Sequence, residues 1–204
     1  LKRLKDANAL FSQGARQQAF HKFETDWLQI QRAHSWAVEN RNRQAEAVTL
    51  CNAYPLEGGQ LLGTRQMIPD RIHWLKIAID AAHSLQEYQA ELSHHLELGR
   101  AYLLISDSEN GLAHGNKALD LAVMLGNREA EVRALTVISN HLQHAGKLLE
   151  ARGYSERSLK ISESTGDKQG IATNSGNLGS IETTLGNYDE AEKYQRLSLQ
   201  INRE

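Results

Sequence analysis

One cysteine, Cys51, and two prolines, Pro55 and Pro69, are all that 204 residues contain of either. A lone thiol cannot build an internal disulfide framework. So few prolines leave long stretches without a helix breaker. No run of about 18 apolar residues exists to cross a membrane. The first residues lack the apolar core of a signal peptide, and no Asn-x-Ser/Thr acceptor occurs. These absences place the expected setting in a reducing cytoplasm. Charge is nearly balanced, with Lys+Arg 23 against Asp+Glu 25 and a net charge of −2. A dedicated nucleic-acid binder carries a basic excess, and here only residues 1–43 approach one. Signatures of catalysis are missing as well: no His-Glu-x-x-His, Gly-x-Ser-x-Gly, Cys-x-x-Cys or phosphate-cradling Gly-x4-Gly-Lys-Ser/Thr. No enzymatic activity and no cofactor are expected.

What is present is helical spacing. Val132, Leu135, Ile138 and Leu142 step by 3, 3 and 4, drawing one apolar stripe. The chain also repeats itself at an offset of 40 residues. Leu98, Ile138 and Leu178 share a column, and Gly99, Ser139 and Gly179 the next. Gly111, Ala151 and Ala191 form a column of very small residues. Ala78, Ala118, Ser158 and Ser198 form another, followed by Ile79, Leu119, Leu159 and Leu199. Leu125-Gly126-Asn127-Arg128 matches Thr165-Gly166-Asp167-Lys168. Each stripe breaks at a matching place (Ser106, Gly146, Gly186), and a glycine there can take the left-handed conformation that ends a helix. A unit therefore reads helix, tight turn, helix, loop, and small columns mark close helix approach.

This pattern resembles the tetratricopeptide repeat (TPR), in a long-helix variant. Leu98-Gly99 with Tyr102, then Gly111 and Ala118, follow the family's unit, as do Leu178-Gly179 with Gly186, Tyr188, Ala191 and Ser198. The middle unit keeps Ala151 and Ser158 but carries Ile138-Ser139, and the family's closing proline is absent. The resemblance implies an all-α, right-handed α-α superhelix of about five helix hairpins, hence about ten helices, stabilised by neighbour-to-neighbour burial. Three repeats are expected at 88–127, 128–167 and 168–204.

Ahead of them, residues 1–43 read as a helical pair. The first helix is expected near 2–18. The second holds Phe20, Phe23, Trp27, Ile30, His34 and Ala37 on one stripe. Residues 44–87 read as a degenerate hairpin: a helix from Ala45 stopped by Pro55, a long loop over 55–70, and a helix starting at Asp70. Asp26-x-x-Gln29-Ile30-x-x-Ala33-x-x-Trp36-Ala37, then Trp74-Leu75 with Ala78-Ile79, resemble stretches of signal-transducing P-loop ATPases of the STAND class, including AfsR-like regulators. There such stretches precede and enter a TPR array. That resemblance implies the C-terminal sensor arm of a larger signalling protein, with the ATPase itself outside this sequence.

The TPR resemblance also implies a binding face, a concave groove lined by the first helix of each unit. By register its candidate residues are Ser93, Glu97 and Arg100, then Arg133, Val137, Asn140 and His144, then Thr173, Asn177, Ser180 and Thr184. Asn140 and Asn177 carry amides able to clamp a peptide backbone. Arg100 and Arg133 carry guanidiniums that can grip a carboxylate in bidentate fashion. The expected function is a non-catalytic protein- or peptide-binding scaffold. Alternatives are an oligomerisation arm meeting its copy through Trp36 and the uncapped helix 188–204, or a nucleic-acid-binding array. His94-His95 and His141-x-x-His144 are the nearest approach to metal-ligand spacing, but solvated or core histidines are the usual reading. Trp27 and Trp74 are expected in the core, Cys51 as a buried inert thiol, and Trp36 against the next helix pair.

Overall fold

Every twentieth residue from Gln86 to Gly186 takes a left-handed backbone: Gln86 (φ 58°), Ser106 (58°), Gly126 (63°), Gly146 (74°), Gly166 (69°) and Gly186 (84°). Each of these turns reverses the chain after a helix and ends it with a 6→1-type backbone bond, as from Lys147 N–H to the Leu142 carbonyl. The computed structural model describes residues 1–203, and for Gln60 and Arg65 the backbone alone. Among the described residues it is all-α, with ten helices and no strand.

The first compact unit spans Leu1–Leu98. It holds α1 (Lys2–Ser12), α2 (Arg16–Asn40), α3 (Ala45–Arg65), α4 (Ile68–Ser84) and the larger part of α5 (Tyr88–Leu104). Leu4, Ala7, Phe23, Ile30, Tyr54, Leu61 and Leu62 are buried together, with Trp27 and Trp74 packed against them. A second cluster joins Ala37, Cys51, Ile77 and Ala81. Cys51 is thus a core residue.

Several boundaries differ from the sequence expectation. The first helix ends at Ser12, because Gly14 turns the chain at φ 83°. Pro55 does not stop α3; the helix runs on to Arg65 with one non-helical residue, Gly59 (φ 43°, ψ −127°). A proline ring already has a helical φ, so Pro55 forfeits one backbone bond and introduces a local clash. Burial of Leu61 and Leu62 outweighs that loss. The long loop expected over 55–70 therefore shrinks to Gln66 and Met67. Helix α4 begins at Ile68, two residues before Asp70, with Pro69 in the first turn, where its missing N–H is harmless. Trp36 is 42% exposed.

The second unit runs from Gly99 onward. It holds the end of α5, then α6 (Ser108–Met124), α7 (Arg128–His144), α8 (Leu148–Thr165), α9 (Lys168–Leu185) and α10 (Tyr188–Ile201). Asp107, Asn127 and Asp167 each accept an N–H three residues on, at 3.1, 3.0 and 3.0 Å, capping α6, α7 and α9. The small columns are where helices touch. A Cβ on Gly179 would lie 2.7 Å from Gln195 Cγ and 3.3 Å from the Ala191 carbonyl. In the middle unit, the Ser139 hydroxyl uses the same closeness to bond the Ala151 carbonyl at 2.9 Å. Ile138, Leu142, Ala151 and Ile181 form the apolar centre.

Candidate functional site

Helices α7 and α9 start side by side, and their first turns with Arg100 of α5 enclose a cleft of about 650 Å³. From α7 come Glu129, Val132, Arg133 and Thr136. Thr165 and the capping Asp167 stand at the entrance to α9, which adds Gln169, Gly170, Thr173 and Asn174. The floor is built of satisfied groups. Asn174 is fully buried; its amide donates to the Gly170 carbonyl at 2.8 Å, and its oxygen accepts from the Thr136 hydroxyl at 3.1 Å. Asp167 spends one carboxylate oxygen on the Gly170 N–H.

Beside the cleft, Glu131 fastens α7 to α8. Its buried carboxylate accepts from Arg128 at 2.7 Å and from Arg157 of α8 at 2.5 Å. Burial pushes this carboxyl up, but the two guanidiniums outweigh it and hold it below the usual carboxylate range.

The cleft gathers three of the eleven candidate residues: Arg100, Arg133 and Thr173. The others go elsewhere. Glu97 is paired with Arg71 at 2.6 Å within the first unit. Asn140 and Asn177 reach one another, Asn177 Nδ2 donating to Asn140 Oδ1 at 3.4 Å. His144 is exposed near the end of α7, and the Thr184 hydroxyl bonds the Ser180 carbonyl of its own helix at 3.0 Å. Register alone missed Thr136 and Asn174, which lie 38 residues apart, off the 40-residue columns. It also missed Asp167, although Asp-x-x-Gly ahead of a helix is a capping signal.

Four histidines, His34, His94, His95 and His141, are buried. His94 is buried and bonds Asn52 Oδ1 at 2.7 Å; His141 is buried and bonds the Gly99 carbonyl at 2.8 Å. His95 faces Glu91, one turn before it, at 4.0 Å, and His83 meets the same carboxylate at 3.2 Å. Among the described residues no group of three or more His, Cys, Asp or Glu is placed to hold a metal ion. His34 stacks on Trp74 with ring centres 3.5 Å apart, so both belong to the first unit's core. No described helix is long and apolar enough to cross a membrane.

Comparison with known proteins agrees with the helical-repeat fold. Residues 132–204 match the tetratricopeptide repeat family. No curated protein sequence matches the chain. Among solved structures, the TPR domain of Arabidopsis FLU is 26% identical with a TM-score of 0.54, over 57% of this chain and 99% of that one. The apo form of RapI is 16% identical with a TM-score of 0.67, over 98% of this chain; this chain spans 64% of RapI. BtubC (BKLC) from P. vanneervenii is 13% identical with a TM-score of 0.66, over 99% of this chain and 87% of that one. The chain is therefore an all-α helical-repeat protein, similar to tetratricopeptide repeat proteins in fold and, over residues 132–204, in sequence.

Proposed function

We infer that this chain is a non-catalytic interaction scaffold, and that it docks a segment of a partner protein in the cleft between α7 and α9. The observation that carries this reading is the cleft itself. It is preformed on the first turns of two helices, with its buried polar groups already satisfied. A segment entering it needs no reorganisation of the floor, so little ordering is lost on binding. The likeness to TPR structures supports an interaction role over a catalytic one. The resemblance of 26–37 and 74–79 to STAND-class stretches supports a ligand-sensing arm of a larger signalling protein, in which capture on this arm shifts a neighbouring ATPase.

The test is affinity capture from native lysate with the chain and a cleft-blocked Thr173→Trp variant, after circular dichroism shows equal helicity. A protein held by the first and lost by the second upholds the reading. Equal retention moves the docking surface elsewhere. A second reading, self-association, has one observation behind it: on α10, Tyr188 is 71% and Leu199 57% exposed. Light scattering that gives one monomer mass at high concentration removes it.

A further inference from the structure

Helix α10 keeps its inner side on α9: Ala191 is buried, and the Ser198 hydroxyl bonds the Ala172 carbonyl at 2.7 Å. Its opposite side carries a stripe. Tyr188, Glu192, Arg196 and Leu199 follow one another at steps of 4, 4 and 3, which puts them on one face of the helix. All four are open to solvent. Tyr188 is 71% and Leu199 57% exposed, and the Glu192 and Arg196 side chains are 61% and 78% exposed. A shallow groove of about 380 Å³ lies along the second half of the stripe, lined by Arg196, Leu199, Gln200 and Arg203.

The geometry points to a second copy of this chain as the occupant of the stripe, its α10 laid antiparallel across a two-fold axis level with Tyr194. The inference rests on the self-association reading above and adds the contact face and its symmetry. Charge selects this occupant first. The acids come early in α10, at Asp189, Glu190 and Glu192, and the arginines late, at Arg196 and Arg203. A parallel copy in register sets like charge against like, whereas an antiparallel copy sets the acidic start against the basic end. Glu192 and Arg196 stand two residues on either side of the axis, so each Glu192 meets the partner's Arg196. Within one chain Arg196 already donates to Glu192 at 2.5 Å, and an exposed pair of that kind contributes little by itself. In the dimer the two pairs close into a ring of alternating sign without either giving up its own contact. Shape selects the same arrangement. Tyr188 stands six residues before the axis, and Leu199 and Gln200 of the groove stand five and six after it. Each tyrosine ring therefore falls on the partner's groove. Knob, groove, acid and base all lie on one stripe, which makes the surface its own complement, as an isologous two-fold interface requires. The antiparallel helix dipoles add to the attraction.

The test is sedimentation velocity on the full chain over a range of concentrations, after circular dichroism shows every variant equally helical. The parent is expected to pass from monomer to dimer as concentration rises, and Leu199→Glu to remain monomeric. Glu192→Arg and Arg196→Glu each gather four like charges at the centre of the contact and weaken the dimer about tenfold or more. An equimolar mixture of these two variants recovers it, although neither chain has its intrahelical pair, so the recovery comes from contact between chains. The double variant Glu192→Arg/Arg196→Glu pairs with itself but not with fluorescently labelled parent, because only an antiparallel contact makes that mixed pair repulsive. A dimer indifferent to Leu199→Glu and to both charge variants overturns the α10 inference and leaves self-association standing through another face. A mixture of the single variants that stays monomeric, or a double variant that pairs with the parent, overturns the antiparallel arrangement. A parent that is monomeric at every concentration overturns the inference and the self-association reading together; a lysate protein then held by the parent and lost by Leu199→Glu gives the stripe to a different occupant. None of these outcomes bears on the cleft between α7 and α9.

Discussion

Replacing Gly111 with alanine separates the structure from the repeat pattern. At the matching positions of the next two units stand Ala151 and Ala191. By column alone, alanine at 111 is harmless, and it gains about 1 kcal/mol of helix propensity over glycine. The structure predicts the opposite sign. A Cβ on Gly111 would lie 2.0 Å from Cε1, 2.1 Å from Nε2 and 2.6 Å from Nδ1 of His141. That ring is fully buried, and its Nε2–H donates to the Gly99 carbonyl at 2.8 Å. The methyl displaces the ring and breaks this bond. A buried carbonyl and imidazole left unsatisfied cost about 1–3 kcal/mol. Overpacking adds about 1–3 kcal/mol. Net of the propensity gain, Gly111→Ala destabilises by about 1–5 kcal/mol. With a urea slope of about 1–3 kcal/mol per molar, the midpoint falls by about 0.3–5 M. The assay is urea unfolding at neutral pH followed by helical circular dichroism. His141→Ala in the same chain opens room for the methyl, so the double variant should lose less than the two singles combined. A midpoint equal to the parent's, or strict additivity, refutes the steric argument.

Three further outcomes follow from other sites. Burial holds His34 and His94 down to about 4 from 6.5, so the unfolded chain takes up protons between those values while the native chain does not. Stability of the first unit is therefore full above pH 6.5 and falls, by roughly a few kcal/mol for each histidine, as pH drops from 6.5 to 4; His94→Gln should flatten that limb of urea midpoint against pH. Ser106 sits at φ 58° without being glycine, so Ser106→Gly should stabilise by about 1 kcal/mol, read as a rise in melting temperature. Asp167→Ala removes the cap on α9 and should cost about 1 kcal/mol, with faster amide exchange confined to the first turn of α9.

The second unit was more legible than the first, and the reason is physical. Wherever two helices come close enough to exclude a large side chain, the same column has to stay small, so Gly99, Ser139 and Gly179 announce the packing directly. Left-handed turns likewise ask for glycine, and four of the six turn residues are glycine. The α3 region has no such periodic constraint. Pro55 and Gly58-Gly59 read as a loop, yet burial of Leu61 and Leu62 keeps the chain helical on both sides of a one-residue break at Gly59. For the site, register finds a face but not the internal partners of each side chain. Asn140 lies on α7 and Asn177 on α9, and their approach to one another across 37 residues is a fact of packing that neither neighbourhood states. Arg133 and Thr173, which line the cleft together, are one 40-residue period apart, whereas Arg100, 33 residues before Arg133, joins them at a spacing that no period discloses.

The serine column ties the repeat to the cleft. Ser158 and Ser198 are small enough for close approach, as Ala78 and Ala118 are, but each adds a hydroxyl. Ser158 Oγ donates to the Val132 carbonyl at 3.2 Å, and Ser198 Oγ, one unit on, to the Ala172 carbonyl at 2.7 Å. Both bonds run from a second helix to the first helix of the same unit, across 26 residues. Val132 lines the cleft, and its carbonyl also accepts from Thr136 at 2.9 Å, whose hydroxyl in turn reaches Asn174. The cleft floor is therefore held from behind by α8 and from the side by α9. Apolar packing alone tolerates small slides of one helix on another, because it is non-directional. A hydroxyl aimed at one carbonyl fixes the register of the pair. The bonds that make one unit resemble the next thus also hold the cleft in a single geometry, which is the condition under which the docking proposed above costs little freedom.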